Sequence, residues 1–326
     1  MAPVATTLEG SRAAPRERSL TARPRWGERA AEGAIKVVAL VSIAAVVLII
    51  VFVGKEALPA LTDAHVREEV GPLLAPHTEA GESLYAWQPV SEVAKFNLWP
   101  LLVGSLKVTL TALVFAVPLS VAAAVYLSEY AGKRAREIVK PAIELLAGVP
   151  SVVVGFFALV VLASWVQAAF GTEHRLNTLV AGLGLGFAIC PVVFSISEDA
   201  LRAVPGSYRA AAIAMGSTLA QVLTRVVLPA AMPGIAAAIV LGFGRAVGET
   251  MIVVLASGNA AILDGSLGHS TRTITATIAQ ELGEVVVGSG HYHVLFLLGA
   301  ILFAVTFLIN LAGARVIDRM RRELGA

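Results

Sequence analysis

Six unbroken apolar runs dominate this chain, near Ile35–Val53, Leu102–Leu127, Ala142–Ala169, Leu176–Ile196, Gly234–Ala256 and Val294–Val316. A helix needs about 20 apolar residues to cross the hydrocarbon core of a bilayer, and each run is of that order. The rest of the chain cannot supply a water-facing surface. Of 326 residues, 57% are hydrophobic and 15% charged, against about 25% charged in an ordinary soluble chain. Mean hydropathy is +0.78. The short alternating segments of an outer-membrane barrel are absent from the sequence. The expected fold class is an all-α membrane protein with six transmembrane helices in a lipid bilayer. A formal net charge of +2 gives no reason to expect nucleic acid. The single cysteine, Cys190, forbids an intrachain disulfide or a multi-cysteine metal site.

Basic residues alternate in step with the runs. Arg12, Arg16, Arg18, Arg23, Arg25, Arg29 and Lys36 precede or open the first run. Lys133, Arg134, Arg136 and Lys140 follow the second, Arg202, Arg209 and Arg225 the fourth, and Arg315, Arg319, Arg321 and Arg322 the sixth. The alternate loops hold only Lys55, Arg67, Lys95, Arg175 and Arg272. The positive-inside rule then places both termini in the cytoplasm of a multi-pass inner-membrane protein. Residues 1–34 read as a disordered basic tail, and residues 319–326 as a cytoplasmic end. Gly54–Lys55–Glu56 lacks a small-x-small cleavage pattern, so residues 35–54 read as a retained helix and not a signal peptide. Residues 55–98 form an acidic external loop. It is either a solvated loop with an aromatic anchor at Trp99 or a docking surface for an external partner. Residues 99–318 then make up the core.

The internal stretch 198–233 has clear local grammar. Pro205–Gly206–Ser207 predicts a turn with Ser207 as N-cap. Tyr208–Met215 (YRAAAIAM) predicts a short helix stopped by Gly216 at the C′ position. Ser217 or Thr218 then caps a second short helix that ends before Pro229. A short Ala-rich helix has little face for a core of its own. It either enters a cleft on another protein or is a bare re-entry turn.

Ala210–Ala211–Ala212, Gly216, Val226 and Leu228–Pro229 hold the spacing of the signature EAA-x3-G-x9-I-x-L-P. On those residues the chain resembles the ABC importer permeases. IELLAGVPSVVVGF (Ile143–Phe156), EDALRAVPGSYRAAAIAMGST (Glu198–Thr218), VVLPAAMPGI (Val226–Ile235) and GRAVGETM (Gly244–Met251) resemble the phosphate importers among them. TRTITATIAQELGE (Thr271–Glu284) and LFLLGAILFAVTFLINL (Leu295–Leu311) are similar to the PstC branch. The resemblance runs from about Leu98 to the end. It implies a type I (MetI-like) permease core of about five helices after one N-terminal helix. It also implies a PstA-like second permease, two PstB-like ATPases docked on the coupling helices, and a periplasmic PstS-like protein that delivers inorganic phosphate. Tyr208, Arg209, Ala210, Ala211, Ala212, Gly216, Leu228 and Pro229 would form the ATPase-coupling segment. The signature's leading Glu is Ala210 here, so Arg209 is expected to supply a different polar contact. No G-x-x-x-x-G-K-[ST] loop is present in the sequence, so the chain itself is expected to carry no cofactor and no enzymatic activity, ATP being bound by a partner. A sulfate or molybdate importer, or an ion-coupled secondary carrier, remains the alternative.

Apart from Lys36 and Arg315 at their ends, four charged residues fall within the runs: Lys107, Glu144, Arg245 and Glu249. Each costs about 2.5–3.5 kcal/mol at a helix centre. Lys107 lies close enough to the outer end to snorkel. Arg245 and Glu249, four residues apart, are expected to pair on one helix face, beside the small pair Gly244 and Gly248. They either pin helix packing or line the substrate path, where Arg245 suits an oxyanion and Thr250 adds a hydroxyl. Glu144 sits at the inner interface or borders an inner gate, where Gly148, Pro150 and Pro191 interrupt regular helix. His291 and His293 carry no ligand set, and Gly182, Gly184 and Gly186 read as close helix packing.

Overall fold

The computed structural model describes residues 26–79 and 82–323, so the basic tail expected to be disordered lies largely outside the described residues. Among the described residues, six helices or helical runs are long and apolar enough to span a membrane: Ala30–Thr62, Trp99–Tyr130, Ser151–Phe170, Thr178–Ala203, Leu219–Gly248 and Gly290–Glu323. The expected number of spans is met. Helix α1 (Trp26–Ala57) runs out of a first unit that ends at Ile49, and the rest of the chain forms a second unit. In the first unit Ile35, Val38, Leu40 and Leu48 are exposed apolar side chains, suited to lipid.

The second unit continues with α2 (Pro59–Thr62) and α3 (Ala64–Val70). Two small antiparallel hairpins follow, β1 (His77–Glu79) with β2 (Glu82–Leu84), and β3 (Trp87–Gln88) with β4 (Lys95–Phe96). The first long core helix, α4 (Trp99–Val125), ends in a π-helical turn, Tyr126–Tyr130. Then come α5 (Lys133–Ala147), α6 (Ser151–Phe157), a π turn over Ala158–Leu162, α7 (Ala163–Phe170) and α8 (Thr178–Ala203). The short α9 (Gly206–Ala214) and α10 (Leu219–Val222) lead through a third π turn, Leu223–Val227, into α11 (Leu228–Gly248). Helices α12 (Met251–Ala256), α13 (Ile274–Glu281) and α14 (Gly290–Glu323) complete the chain.

Helices α4 and α8 pack at the centre through glycines. A Cβ on Gly182 would stand 2.5 Å from Thr111 Cβ, and one on Gly186 2.7 Å from Phe115. One on Gly184 would meet Ala158 Cβ at 3.0 Å. Close packing is therefore the role of this Gly-x-Gly-x-Gly stretch, as expected. Val108, Ala112, Leu185 and Ile189 fill the seam. The half-buried Cys190 packs against this core as a small apolar residue.

Two expected spans are displaced. The third begins at Ser151, not at Ala142. Gly148 ends α5, and Pro150 starts α6 with φ −57° and ψ 137°. The proline ring denies the chain a helical crossing there. Helix α5 is a separate amphipathic segment with no buried residue, and Glu144 lies exposed on it. Pro191 and Pro118, in contrast, sit inside unbroken α8 and α4. The fifth span runs from Leu219 to Gly248, not from Gly234 to Ala256. Its start extends because the second short helix does not stop before Pro229. The π turn shifts the bonding to Leu228 N–H donating to Leu223 O, and the helix continues past a residue that has no N–H to give.

The 55–98 region is not simply a solvated loop. Trp87, Phe96, Val70 and Leu101 are buried with Val294, Leu295 and Leu298 of α14 in one apolar cluster. Trp87 Nε1 donates to the Glu281 carboxylate at 3.0 and 3.1 Å, and Arg272 and His291 reach the same carboxylate at 2.8 Å each. Trp99 Nε1 donates to Leu74 O at 3.1 Å, so the expected interface anchor is hydrogen-bonded within this cap. His293 Nδ1 stands 2.8 Å from Glu56 O. Among the described residues no group of three or more His, Cys, Asp or Glu could hold a metal.

Candidate functional site: an unpaired arginine and a tethered short helix

Arg245 and Glu249 do not share a helix face. Helix α11 ends at Gly248, and Glu249 turns extended (φ −72°, ψ 133°). Its carboxylate Oε1 accepts from the backbone N–H groups of Thr250 and Met251, both at 3.2 Å. These are donors left orphaned where α12 begins. Glu249 is thus engaged as a cap between two helices, and its carbonyl accepts from Thr275 Oγ1 at 2.9 Å. Thr250 Oγ1 faces Gly248 O at 3.4 Å, a long bond that occupies its hydroxyl only weakly.

Among the described residues Arg245 has neither a hydrogen bond nor an ion pair. It borders two cavities. One, of 540 Å³, is lined also by Leu241, Gly244, Gly248, Phe303, Thr306 and Asn310. The other, of 330 Å³, is walled by Leu146, Val149, Ser151, Phe157, Phe187 and Ala188. A Cβ on Gly248 would meet nothing within 4 Å, and one on Gly244 only Asn310 at 3.7 Å. The small pair leaves space beside Arg245; it does not hold another described helix close. A guanidinium with its donors unengaged, bordered by mainly apolar walls, is a strong hydrogen-bonding partner for a planar or tetrahedral oxyanion. Thr306 and Asn310 on α14 share this wall. They were missed in the sequence, where single polar residues inside LFLLGAILFAVTFLINL carry no signal of which face they take.

The other intramembrane cation is accounted for. Lys107 Nζ donates to Asp264 O at 2.9 Å, and the Asp264 carboxylate pairs with His269 Nδ1 at 2.6 Å. The backbone N–H of Ser266, with His269 beside it, holds the Asp264 carboxyl below its ordinary value.

At the other end of the bundle, α9 keeps no residue buried. Tyr208, Ile213, Met215 and Leu219 are more than half exposed, and Ala210 and Ala211 are exposed with them. Gly216 takes φ +83°. Its N–H donates to Ile213 O, and that of Ser217 to Ala212 O, which closes the helix as expected. Thr218 and Gln221 form a reciprocal capping box at the start of α10. The N-cap of α9, however, is Pro205 and not Ser207, and no side chain caps it. Arg209 is turned inward: Nε and Nη2 donate to the Glu129 carboxylate at 3.3 and 2.8 Å. It is thus engaged within this chain. Leu228 and Pro229 lie inside the span that follows, on the far side of the π turn.

Nearby, Glu198 of α8 is fully buried. Lys140 Nζ of α5 stands 2.6 Å from it and 3.0 Å from Asp199, and Arg202 Nη1 is at 3.5 Å. The Glu198 hydrogen bond pushes the Lys140 ammonium above its ordinary value, against the opposing effect of burial.

An α-helical bundle with six candidate spans, a cation between two cavities and an exposed short helix at one end has the architecture of a membrane transport subunit. A family described as "binding-protein-dependent transport system inner membrane component" matches residues 116–323. The chain belongs to that family. "Probable ABC transporter permease protein YqgH" of Bacillus subtilis is 35% identical over 274 residues, covering 84% of this chain and 85% of the relative. "Phosphate transport system permease protein PstC" of Mesorhizobium japonicum is 34% identical over 260 residues, covering 74% and 79%. A bacterial alginate ABC transporter, solved in complex with an alginate pentasaccharide-bound periplasmic protein, has a chain of similar fold. Its TM-score is 0.56 at 16% identity, over 93% of this chain and 98% of that one. The MetNI methionine ABC transporter, in an inward-facing form, matches with a TM-score of 0.51 at 18% identity, over 68% and 94%.

Proposed function

We propose that this chain is the permease subunit of an ATP-driven inorganic phosphate importer, and that it forms the translocation path together with a paralogous permease. The observation that carries the reading is the match, over about three quarters of both chains, to relatives named phosphate transport permeases. Two ATPase subunits dock on α9 and its equivalent in the second permease, and they bind the nucleotide. A periplasmic phosphate-binding protein engages the end of the bundle that carries the hairpins. Both termini then lie in the cytoplasm. Arg245 is the anion's partner in the path. Its exposure between two cavities and its lack of a carboxylate partner among the described residues support that role. Glu249 acts indirectly, by ending α11 where Arg245 is presented, and Thr250 adds a weakly engaged hydroxyl. Glu144, on the exposed face of α5, borders the inner mouth.

The test is ATP-dependent uptake of labelled phosphate by the reconstituted complex, with sulfate and molybdate as competitors. Arg245→Gln should abolish uptake while all subunits still co-purify. Uptake inhibited by sulfate or molybdate as strongly as by unlabelled phosphate would transfer the reading to another oxyanion. Transport by this chain alone, driven by an ion gradient, would replace the importer with a secondary carrier. Failure of Arg245→Gln to assemble would make the arginine a packing residue.

A further inference from the structure

We propose that the fork between Arg209 and Glu129 is the joint through which α9 moves the bundle, so that Arg209 is a positioning residue of the transport cycle. The proposal rests on the reading of α9 as the docking element of an ATPase.

Helix α9 has few means of passing on a displacement. Ala210, Ala211 and Ala214 are exposed and have no reach, and Ala212 only rests its methyl against the Val204–Val222–Val227 cluster. Of its longer side chains, Tyr208 and Ile213 are more than half exposed, as is Met215 just beyond its end. They face whatever docks there. Arg209 alone is aimed inward, with its side chain 24% exposed against 16% for Glu129. Its guanidinium joins three elements. Nη1 donates to Val204 O at 2.6 Å and Nη2 to Leu201 O at 2.9 Å, at the end of α8. Nε and Nη2 donate to Glu129, in the π turn that prolongs α4. Glu129 is held in turn: Ser128 Oγ donates to it at 3.1 Å, and Arg136 of α5 donates to Leu127 O and Ser128 O.

Without this fork the connection would be a hinge. Helix α8 ends at Ala203, Val204 is extended (φ −62°, ψ 124°), and α9 starts after Pro205. Two non-helical residues let a short helix swivel without moving its neighbour. A planar, two-bonded guanidinium fixes orientation as well as distance, which a single-point contact does not. A push on α9 is then delivered to α4 and α8 together. Helix α8 carries Phe187 and Ala188, on the cavity wall shared with Arg245. A path of tightly packed elements thus runs from the exposed helix to the unpaired cation.

The experiment uses the complete complex in proteoliposomes. It reads three quantities: ATPase co-purification, ATP hydrolysis, and phosphate uptake per ATP hydrolysed. Arg209→Gln and Glu129→Gln should each retain the ATPase and lower uptake per ATP at least 10-fold. The double variant should be no worse than either single one, because the two residues act through each other. Tyr208→Ala, on the outward face, should instead weaken co-purification. An unchanged uptake-to-hydrolysis ratio in the Gln variants would overturn the joint. So would loss of the ATPase in Arg209→Gln but not in Glu129→Gln, which would make Arg209 a docking contact. If neither Gln variant assembles, Arg209→Lys decides, since it keeps the charge without the fork: a wild-type ratio overturns the joint, and a lowered ratio supports it. A wild-type complex with no ATPase and no ATP-dependent uptake would overturn the transport reading, and the joint with it.

Discussion

The most demanding perturbation is Lys140→Met. Glu198 has no exposed surface, and Lys140 supplies its shortest bond, at 2.6 Å. Removing one partner of a buried ion pair costs about 3–5 kcal/mol, because the remaining charge is left buried. Here a second cation is near. Arg202 Nη1 stands 3.5 Å from the other carboxylate oxygen, with its side chain 51% exposed. Half exposed, it has room to close in, which moves the expected loss to the low end, about 3 kcal/mol. Lys140→Met with Glu198→Leu removes both charges and leaves Arg202 hydrated, so the double variant should fall within about 1 kcal/mol of wild type. The measurement is unfolding of the purified protein in mixed micelles with increasing SDS, compared across the single and double variants. The pH dependence has a definite sign. The folded Lys140 value is raised above 10.5. Its contribution is therefore fully present below pH 10.5 and declines as pH rises through the folded value. The gap between wild type and Lys140→Met should be constant from about pH 7 to about 10 and close only as pH rises further, through the folded value. A single variant no worse than the double, or a loss under about 1 kcal/mol, would refute the claim that Glu198 depends on Lys140.

Gly104→Ala should block folding or force α4 away from its loop, because the added Cβ would lie 2.2 Å from the Arg272 carbonyl oxygen; recovery of monodisperse protein checks this. Gly216→Ala should cost about 1 kcal/mol through the positive φ of its turn alone, since the added Cβ would enter open space, and faster proteolysis between α9 and α10 would report it. Asp264 has a depressed folded value, so its contribution is present above about pH 3.9 and lost as pH falls through that folded value; Asp264→Asn should flatten the acid limb of the stability profile. Asn310→Ala should raise the KM for phosphate several-fold with little change in kcat if its amide helps Arg245 hold the anion, and an unchanged KM would remove it from the path.

What the sequence revealed and what it hid divide along the range of the interactions. The number of spans was legible because hydropathy sums over a window and needs no knowledge of neighbours. The turn at Gly216 and a cap at Ser217 or Thr218 were legible because every participating atom lies within five residues; the structure selects Thr218 and adds Gln221 as its reciprocal partner. The third boundary was not. The apolar side of amphipathic α5 adds its hydropathy to that of the true span, and only the Gly148–Pro150 break separates them. The Arg245–Glu249 pairing failed for a related reason. Four-residue spacing implies a shared face only while the helix continues, and Glu249 itself helps to end it by capping the next. The ties Arg209–Glu129, Lys140–Glu198 and Trp87–Glu281 span 80, 58 and 194 residues. No local pattern encodes such pairs, so an acidic loop looked solvated and Arg209 looked free for a partner.

These pairings also explain how the bundle can hold so costly a residue as Arg245 in an unpaired state. Lys107, Glu129 and Glu198 are each neutralised or hydrogen-bonded, so the ends of α4 and α8 are fixed. Between those ends the seam is packed on glycine, where a single methyl group would collide. A rigid seam cannot collapse to bury Arg245 or bend to offer it a carbonyl. Its donors stay presented to the two cavities, and on the proposed reading the insertion cost of about 2.5–3.5 kcal/mol persists until an anion arrives. Pairing it with Glu249 would offset that cost, and under the proposed role it would do so at the expense of transport, since a carboxylate already in place competes with any oxyanion for the same donors. Restoring that pairing is therefore a direct check. Gly248→Ala favours continuation of α11 by about 1 kcal/mol, toward a register that places Glu249 beside Arg245. That variant should be more stable than wild type and transport less, and a variant that is more stable with undiminished uptake would show that Arg245 need not be free.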